Sequence, residues 1–245
     1  MPGGRASAVP GLALLAGVAA AAFAAEPAFY LHDARSSASP RLGSVEVVSR
    51  AALIEGKEAR YWVLRYYEWL EQNKRKFRYQ GIKVQTDTTG SLCGSLQSGP
   101  VWFLTNFQWG KVTRTCEIPA NVHVLIPVLE VLTAPARGMT VACGELTSAA
   151  RKMASEDAQV SLAIDGRQLA EVRDYEGATG CLDRGDPDDP GRKQTVAMHG
   201  FWVFLKPLPP GTHRLEFSGR PARHNYAAPL IEIVHDVAYE ITVKQ

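Results

Sequence analysis

The sequence predicts a mainly β fold, an antiparallel β-sandwich or jelly roll with two added α-helices. Three observations predict it. Apolar runs of strand length recur after residue 100, turn residues separate them, and the strand–helix–strand alternation that builds parallel sheets is missing. A small α+β arrangement is the alternative. The 245 residues are 46% hydrophobic and 21% charged, an ordinary balance for one sizeable core.

Residues 1–25 read as a signal peptide. Arg5 is a thin positive start, residues 11–22 are apolar and Ala-rich, and Ala22-Phe23-Ala24 and Phe23-Ala24-Ala25 offer small-residue cleavage sites. An anchored helix competes with this reading, but Pro10 and Gly11 interrupt the run and it is short for a span. No cysteine marks a lipid anchor there, and no later run is apolar for long enough to cross a bilayer as a helix. Arg5 is the only charged residue of the segment, so its removal takes the balance from 27 Lys+Arg against 25 Asp+Glu to 26 against 25, a net charge of about +1. Near-neutrality gives no long-range pull toward nucleic acid. Residues 26–245 are then expected to form a single sandwich domain, secreted or periplasmic, with a flexible lead-in at about 26–43.

Cys93, Cys116, Cys143 and Cys181 all lie in that mature part. An even count behind an export signal favours two disulfides. Three pairings exist, and Cys93–Cys116 with Cys143–Cys181 is preferred because each staples a loose lead-in to a regular element. No C-x-x-C pair supports zinc.

The elements follow in order. Val45 and Val47 alternate with polar residues and suit a short edge strand. Residues 57–75 are the clearest helix, because Trp62, Tyr66, Trp69 and Asn73 fall on one stripe and Arg65, Glu68, Glu71, Gln72 and Arg75 on the other side. Residues 80–99 are rich in Gly, Thr and Ser and read as a loop. Residues 99–132 organise the rest. Residues 101–104 are continuously apolar. Val112, Arg114, Cys116 and Ile118 then alternate with Thr113, Thr115 and Glu117. Residues 122–132 are apolar on both faces apart from His123 and Glu130. Pro127 cannot donate to a ladder and predicts a bulge or an edge. An antiparallel meander is the economical arrangement of these three runs. Residues 145–157 read as a second helix on the Leu146, Ala149, Ala150, Met153 stripe. Val160, Leu162 and Ile164 lead into Asp165-Gly166, a strong hairpin signal, with 169–172 as the returning strand. Residues 176–191 read as loop. Residues 196–205 read as a central strand and 213–217 as a hairpin strand. Ile231, Ile233, Val237, Tyr239, Ile241 and Val243 form a period-two row that also places His235 on the apolar face.

The pieces G-P-V-W-F-L (99–104), T-R-T-C-E-I-P-A (113–120), the apolar run with its central proline, the Arg60-Tyr61-Trp62 helix and L-P-P-G-T-H (208–213) resemble a group of exported bacterial proteins. The likeness runs from about Arg60 to the C-terminus. It implies export and a β-rich fold and names no substrate. Such proteins usually carry glycine and lysine after the P-A pair, where this chain has Asn121, Val122 and His123.

Candidate site residues come in four sets. Trp62, Tyr66 and Trp69 could form a sugar-stacking platform, although an apolar helical stripe usually packs on a core. The basic run Lys74-Arg75-Lys76-Phe77-Arg78 could touch an anionic glycan or phosphate, or be a solvated helix end favoured by the dipole. Asp183, Asp186 and Asp188 could hold calcium, which takes oxygen ligands from acidic loops, although the spacing is not that of an EF-hand. His123, His199 and His235 are the candidates for acid–base work, without a G-x-S-x-G or H-E-x-x-H motif beside them. Three function classes stand. A non-catalytic exported binding or envelope protein, with a glycan or another exported protein as partner, is preferred. A hydrolase or lyase acting on an extracellular polymer, and a partner or inhibitor of another exported protein, are the alternatives.

Overall fold

The computed structural model describes residues 29–31, 38–81, 83–107, 109–136, 138–155, 157–185, 193–221 and 234–244. The expected signal peptide lies outside them. The fold is mainly β with two α-helices. Strands β1 (Arg41–Leu42) and β2 (Val45–Glu46) form a small ribbon, followed by helix α1 (Ala59–Lys76). Then come β3 (Val101–Phe103), β4 (Trp109–Pro119), β5 (His123–Thr133), α2 (Cys143–Ala154), β6 (Gln159–Ile164) and β7 (Arg167–Gln168). The chain closes with β8 (Glu176–Gly185), β9 (Lys193–Leu205), β10 (Gly211–Arg220) and β11 (Val234–Lys244).

Two sheets pack face to face, one in the order β4-β11-β10-β6-β7 and the other β3-β5-β9-β8. Their inner faces share one core, in which Val124, Ile126, Phe201 and Val203 meet Ile118, Leu162, Leu215, Phe217 and Ile241. The four-stranded sheet has a second buried face. Leu125, Met198, Trp202 and Phe204 pack there against Trp62, Val63, Tyr66 and Trp69 of α1. Burial on both sides explains why β5 and β9 read as unbroken apolar runs. The five-stranded sheet has a wet outer face, with Lys111, Thr115, Glu117, Arg214, Glu216 and Glu240 exposed, and its strands alternate.

Three expectations need correction. Residues 99–132 are not a meander: β3 and β5 pair in parallel in one sheet, whereas β4 pairs in parallel with β11 in the other. Side-chain periodicity tells which face of a strand is buried and carries no information about its neighbour. Residues 176–185 form β8 rather than loop, because Gly177 and Gly180 replace the β-branched residues that signal a strand. At Gly177 a Cβ would lie 2.9 Å from the Phe29 ring, so glycine is what fits. The strand returning from Asp165-Gly166 is only the two residues of β7, after which Val172–Tyr175 turn as a short 3-10 helix. The turn itself is as the pair predicts, with φ of 51° and 75°.

Pro127 does mark a bulge, where the β5–β9 register shifts between Pro127 and Leu129. Val128 and Leu129 then both enter the inter-sheet core, and Glu130 turns to α1. Two glycines admit this geometry. A Cβ on Gly200, opposite Glu130 in β9, would stand 2.3 Å from the Leu129 carbonyl oxygen, and one on Gly219 of β10 would stand 2.6 Å from that of Val128.

Both disulfides pair as preferred. Cys93–Cys116 ties the 83–97 segment to β4, and Cys143–Cys181 ties the start of α2 to β8. With the partners 23 and 38 positions apart in sequence, loop closure alone is worth about 3–4 kcal/mol each. No helix among the described residues is long and apolar enough to cross a membrane. Gly200→Ala is expected to lower unfolding stability by at least about 2 kcal/mol, because the β5 backbone at Leu129 and Glu130 must shift; urea titration of the oxidised protein measures this, and a loss under 0.5 kcal/mol, roughly the level of a neutral surface change, contradicts the account.

Candidate functional site

The polar side chains inside the molecule are placed by strand phase. β4 alternates Val112, Arg114, Cys116 and Ile118 inward, which buries the Arg114 guanidinium to 1% exposure. Its Nε donates to the Asp87 carbonyl at 2.6 Å and its Nη2 to that of Gln85 at 2.9 Å. Its Nη1 donates to the Thr105 carbonyl at 2.9 Å, the Thr105 hydroxyl at 2.7 Å and the Tyr239 hydroxyl at 2.8 Å. The ring faces of Phe107 and Tyr239 lie 5.7 and 5.5 Å from the guanidinium carbon. Carbonyl dipoles and π faces, not a carboxylate, therefore hold this charge.

The Thr105-Asn106 turn links it to a second polar group, the half-buried carboxylate of Glu130. Glu130 Oε1 accepts from the Tyr66 hydroxyl at 2.9 Å and from Asn106 Nδ2 at 3.3 Å, and Oε2 accepts from Trp202 Nε1 at 3.2 Å. Burial pushes the Glu130 carboxyl up to about 6, against these three donors. Burial, and then the neighbouring Glu130 charge, raise the Tyr66 phenol well above its usual range.

The candidate histidines are kept apart. His199 on β9 shares a 2.8 Å hydrogen bond with Glu176 of β8, both being under 8% exposed. His123 begins β5, half-buried, and burial lowers its pKa. His235 lies on β11 in the other sheet, opposite Gly219, with no exposure. Neither of its ring nitrogens has a hydrogen-bond partner, and burial lowers its pKa to about 4; the Val128 carbonyl offsets a little of this without reaching hydrogen-bond geometry. No two of the three are brought together with a nucleophile. A fourth, His213, which sequence reasoning left aside, bridges Asp165 and the Pro209 carbonyl at 2.8 Å each and pins the 206–210 crossover between sheets.

The aromatic stripe is turned inward. Trp62, Tyr66 and Trp69 are 8%, 0% and 4% exposed, and the indole nitrogens of Trp62 and Trp69 donate to the Ile54 and Ser95 carbonyls. They offer no open ring face, which corrects the stacking-platform reading: the doubly buried sheet needs them as cover. Asp183 accepts from the Thr195 hydroxyl at 2.9 Å. Asp186 and Asp188 lie outside the described residues, and among the described residues no three His, Cys, Asp or Glu side chains group as metal ligands.

Two concavities open to solvent flank the exposed ridge of α1. One, of about 330 Å3, lies between α1 and the β8–β9 pair and is lined by Leu64, Glu68, Arg75, Leu182 and Val196. The other, of about 210 Å3, lies between α1 and residues 83–85 and is lined by Tyr67, Glu71, Lys74, Lys83 and Gln85. Sequence reasoning missed both, because a groove between elements has no local signature.

Arg114→Met is expected to cost about 3–5 kcal/mol, since five acceptors, three of them fully buried, lose this donor at once; chemical denaturation measures it. Acid behaviour splits by sign. Glu130 binds its proton more tightly folded, at about 6 against 4.5, so it adds on the order of 2 kcal/mol below pH 4.5 that vanishes as pH rises through 6. His235 holds its proton less tightly folded, at about 4 against 6.5, so its contribution is full above pH 6.5 and falls by on the order of 3 kcal/mol as pH drops to 4. His235→Leu should therefore flatten the loss of stability between pH 6.5 and 4, and Glu130→Gln should steepen it. Denaturant midpoints across that range test both slopes.

No protein-family model and no curated protein matches the chain. Among solved structures the chain is similar to the crystal structure of the cysteine protease inhibitor EhICP2 from Entamoeba histolytica, at 15% identity and a TM-score of 0.21, over 53% of this chain and 86% of that one. A superposition of that quality carries no argument about fold or function.

Proposed function

We propose that this protein is an exported, disulfide-stabilised binding protein of the cell envelope or its surroundings that performs no catalysis. One observation carries the reading. His199 and Glu176, where a candidate histidine does meet a carboxylate, are sealed inside, while the concavities that solvent reaches are lined by side chains suited to contact. A general base must come within hydrogen-bond reach of its substrate. His199 and Glu176 cannot do so without opening the sheet they hold. Two closed cystines with no free thiol among the described cysteines support an oxidising compartment. The likeness to exported bacterial proteins, from about Arg60 to the C-terminus, supports the same location.

The test has two arms. The chain is expressed with residues 1–25 in a bacterial host, and the fractionated product is mass-mapped without reduction. The mature protein is expected outside the cytoplasm, cleaved near Ala24 or Ala25, with no alkylatable cysteine; cytoplasmic retention with two or more free thiols overturns the location. The purified protein is then incubated with peptidoglycan and with acidic and neutral polysaccharides, and new reducing ends and unsaturated products are followed. None is expected. Turnover that disappears in His199→Ala while the fold persists would make the protein a hydrolase or lyase.

A further inference from the structure

The C-terminal end of α1 carries a charge imbalance that the fold does not use. Lys74, Arg75 and Lys76 form its last turn, Arg78 follows in a 3-10 turn, and Lys83 stands across the 210 Å3 groove from Lys74. All five are exposed. Lys76 reaches the Ser95 hydroxyl and the Phe77 ring, and none of the five forms an ion pair among the described residues. The helix dipole favours one or two cations here. It does not account for a lysine on a separate segment facing the same groove. On the five-stranded sheet, by contrast, exposed Arg214 is paired with Glu216 and Glu240, and Lys244 with Glu117.

We propose that this end of α1 binds an acidic polysaccharide, and that the groove between Lys74 and Lys83 seats one of its carboxylate groups. The proposal rests on the binding-protein reading and adds its ligand class. Three features select a polymer of acidic sugars. Successive residues on a helix are turned about 100° apart, so Lys74, Arg75 and Lys76 fan around the helix end instead of sharing a plane. A flexible polyanion can wrap such a fan, whereas a flat anionic bilayer meets only part of it. Tyr79, 95% exposed, presents an aromatic ring beside the cations, suited to stacking on a sugar ring. The groove, at about 210 Å3, is large enough for a single charged sugar unit; Tyr67 and Gln85 wall it beside Lys74 and Lys83, and Glu71 also lines it, so the two lysines have to outweigh one carboxylate there.

The probe is polygalacturonate, titrated into the oxidised protein by calorimetry at several salt concentrations, with neutral dextran and vesicles of phosphatidylglycerol alongside. Binding is expected to polygalacturonate, not to dextran, and to weaken steadily with added salt as counterions compete. Lys74→Gln with Lys83→Gln should weaken it at least tenfold, and Tyr79→Ala several-fold. Lys111→Gln with Lys193→Gln, the same charge change elsewhere, should alter it less than twofold. No binding at low salt, equal losses in the two lysine pairs, or tighter binding to the vesicles than to the polymer would each overturn the proposal. An exported, inert protein that ignores polygalacturonate removes this inference alone, whereas cytoplasmic retention or turnover removes the reading beneath it.

Discussion

The bulge at Pro127 sets the geometry on which the rest of the molecule depends. Ahead of it, even-numbered residues of β5 face the five-stranded sheet. Behind it, even-numbered residues face α1. The shift of one residue has two effects. It pushes Val128 and Leu129 together toward β10, which tolerates them only because Gly219 lacks a side chain. It also turns the Glu130 carboxylate out of the inter-sheet core and under the helix, where Tyr66 and Trp202 can reach it. Without the bulge, that carboxylate would face Phe217 and its neighbours with no donor in range, a cost of several kcal/mol. A proline that cannot donate to the ladder is a natural place to break it.

Once Glu130 is under α1, its hydrogen bonds orient the helix on the sheet. An apolar helix face alone can slide or rotate on an apolar sheet at little cost. A half-buried carboxylate with three fixed donors has one low-energy arrangement. Arg114 does the same for the irregular 83–107 region, gathering the carbonyls of Gln85, Asp87 and Thr105 that no strand satisfies. Each isolated charge is a poor source of stability. Their effect is to select one packing of loop, helix and two sheets, with the Cys93–Cys116 bond closing the same region covalently.

Much of this was legible in the sequence, and the missing part has a common cause. The two helices, the inward row of β11 with His235 on it, the Asp165-Gly166 turn, the Pro127 bulge and the cystine pairing all follow from local rules of period, turn conformation and loose-end stapling. Sheet membership was not legible, because Val112–Ile118 and Val124–Val131 announce buried faces without saying which strand lies beside them. β8 was hidden by glycines that packing on Phe29 requires. The buried network left a trace that only the fold could interpret: Arg114 stood in an apolar row and Glu130 broke another. A charge on the inner face of a strand is a signal that something polar waits opposite, and its partners here come from five other elements far apart in the chain.

Near-neutral composition and a cationic helix end are compatible because charge acts locally. At physiological ionic strength, fields decay over roughly 8 Å, so a partner reads a patch and not the net charge of about +2 over the whole chain. Most exposed charges of the five-stranded sheet are spent on one another across strands, which leaves that surface close to neutral at any distance a partner would feel. The end of α1 is different because a helix terminus and the short turn after it crowd like charges beside a single acidic neighbour, Glu71, three and four residues before Lys74 and Arg75. Holding five cations there costs self-repulsion that a monomer in isolation has no use for. Such a cost is tolerated where a partner of opposite sign relieves it, and the buried interior, whose own charges are all enclosed, leaves the helix end as the surface where that partner can act.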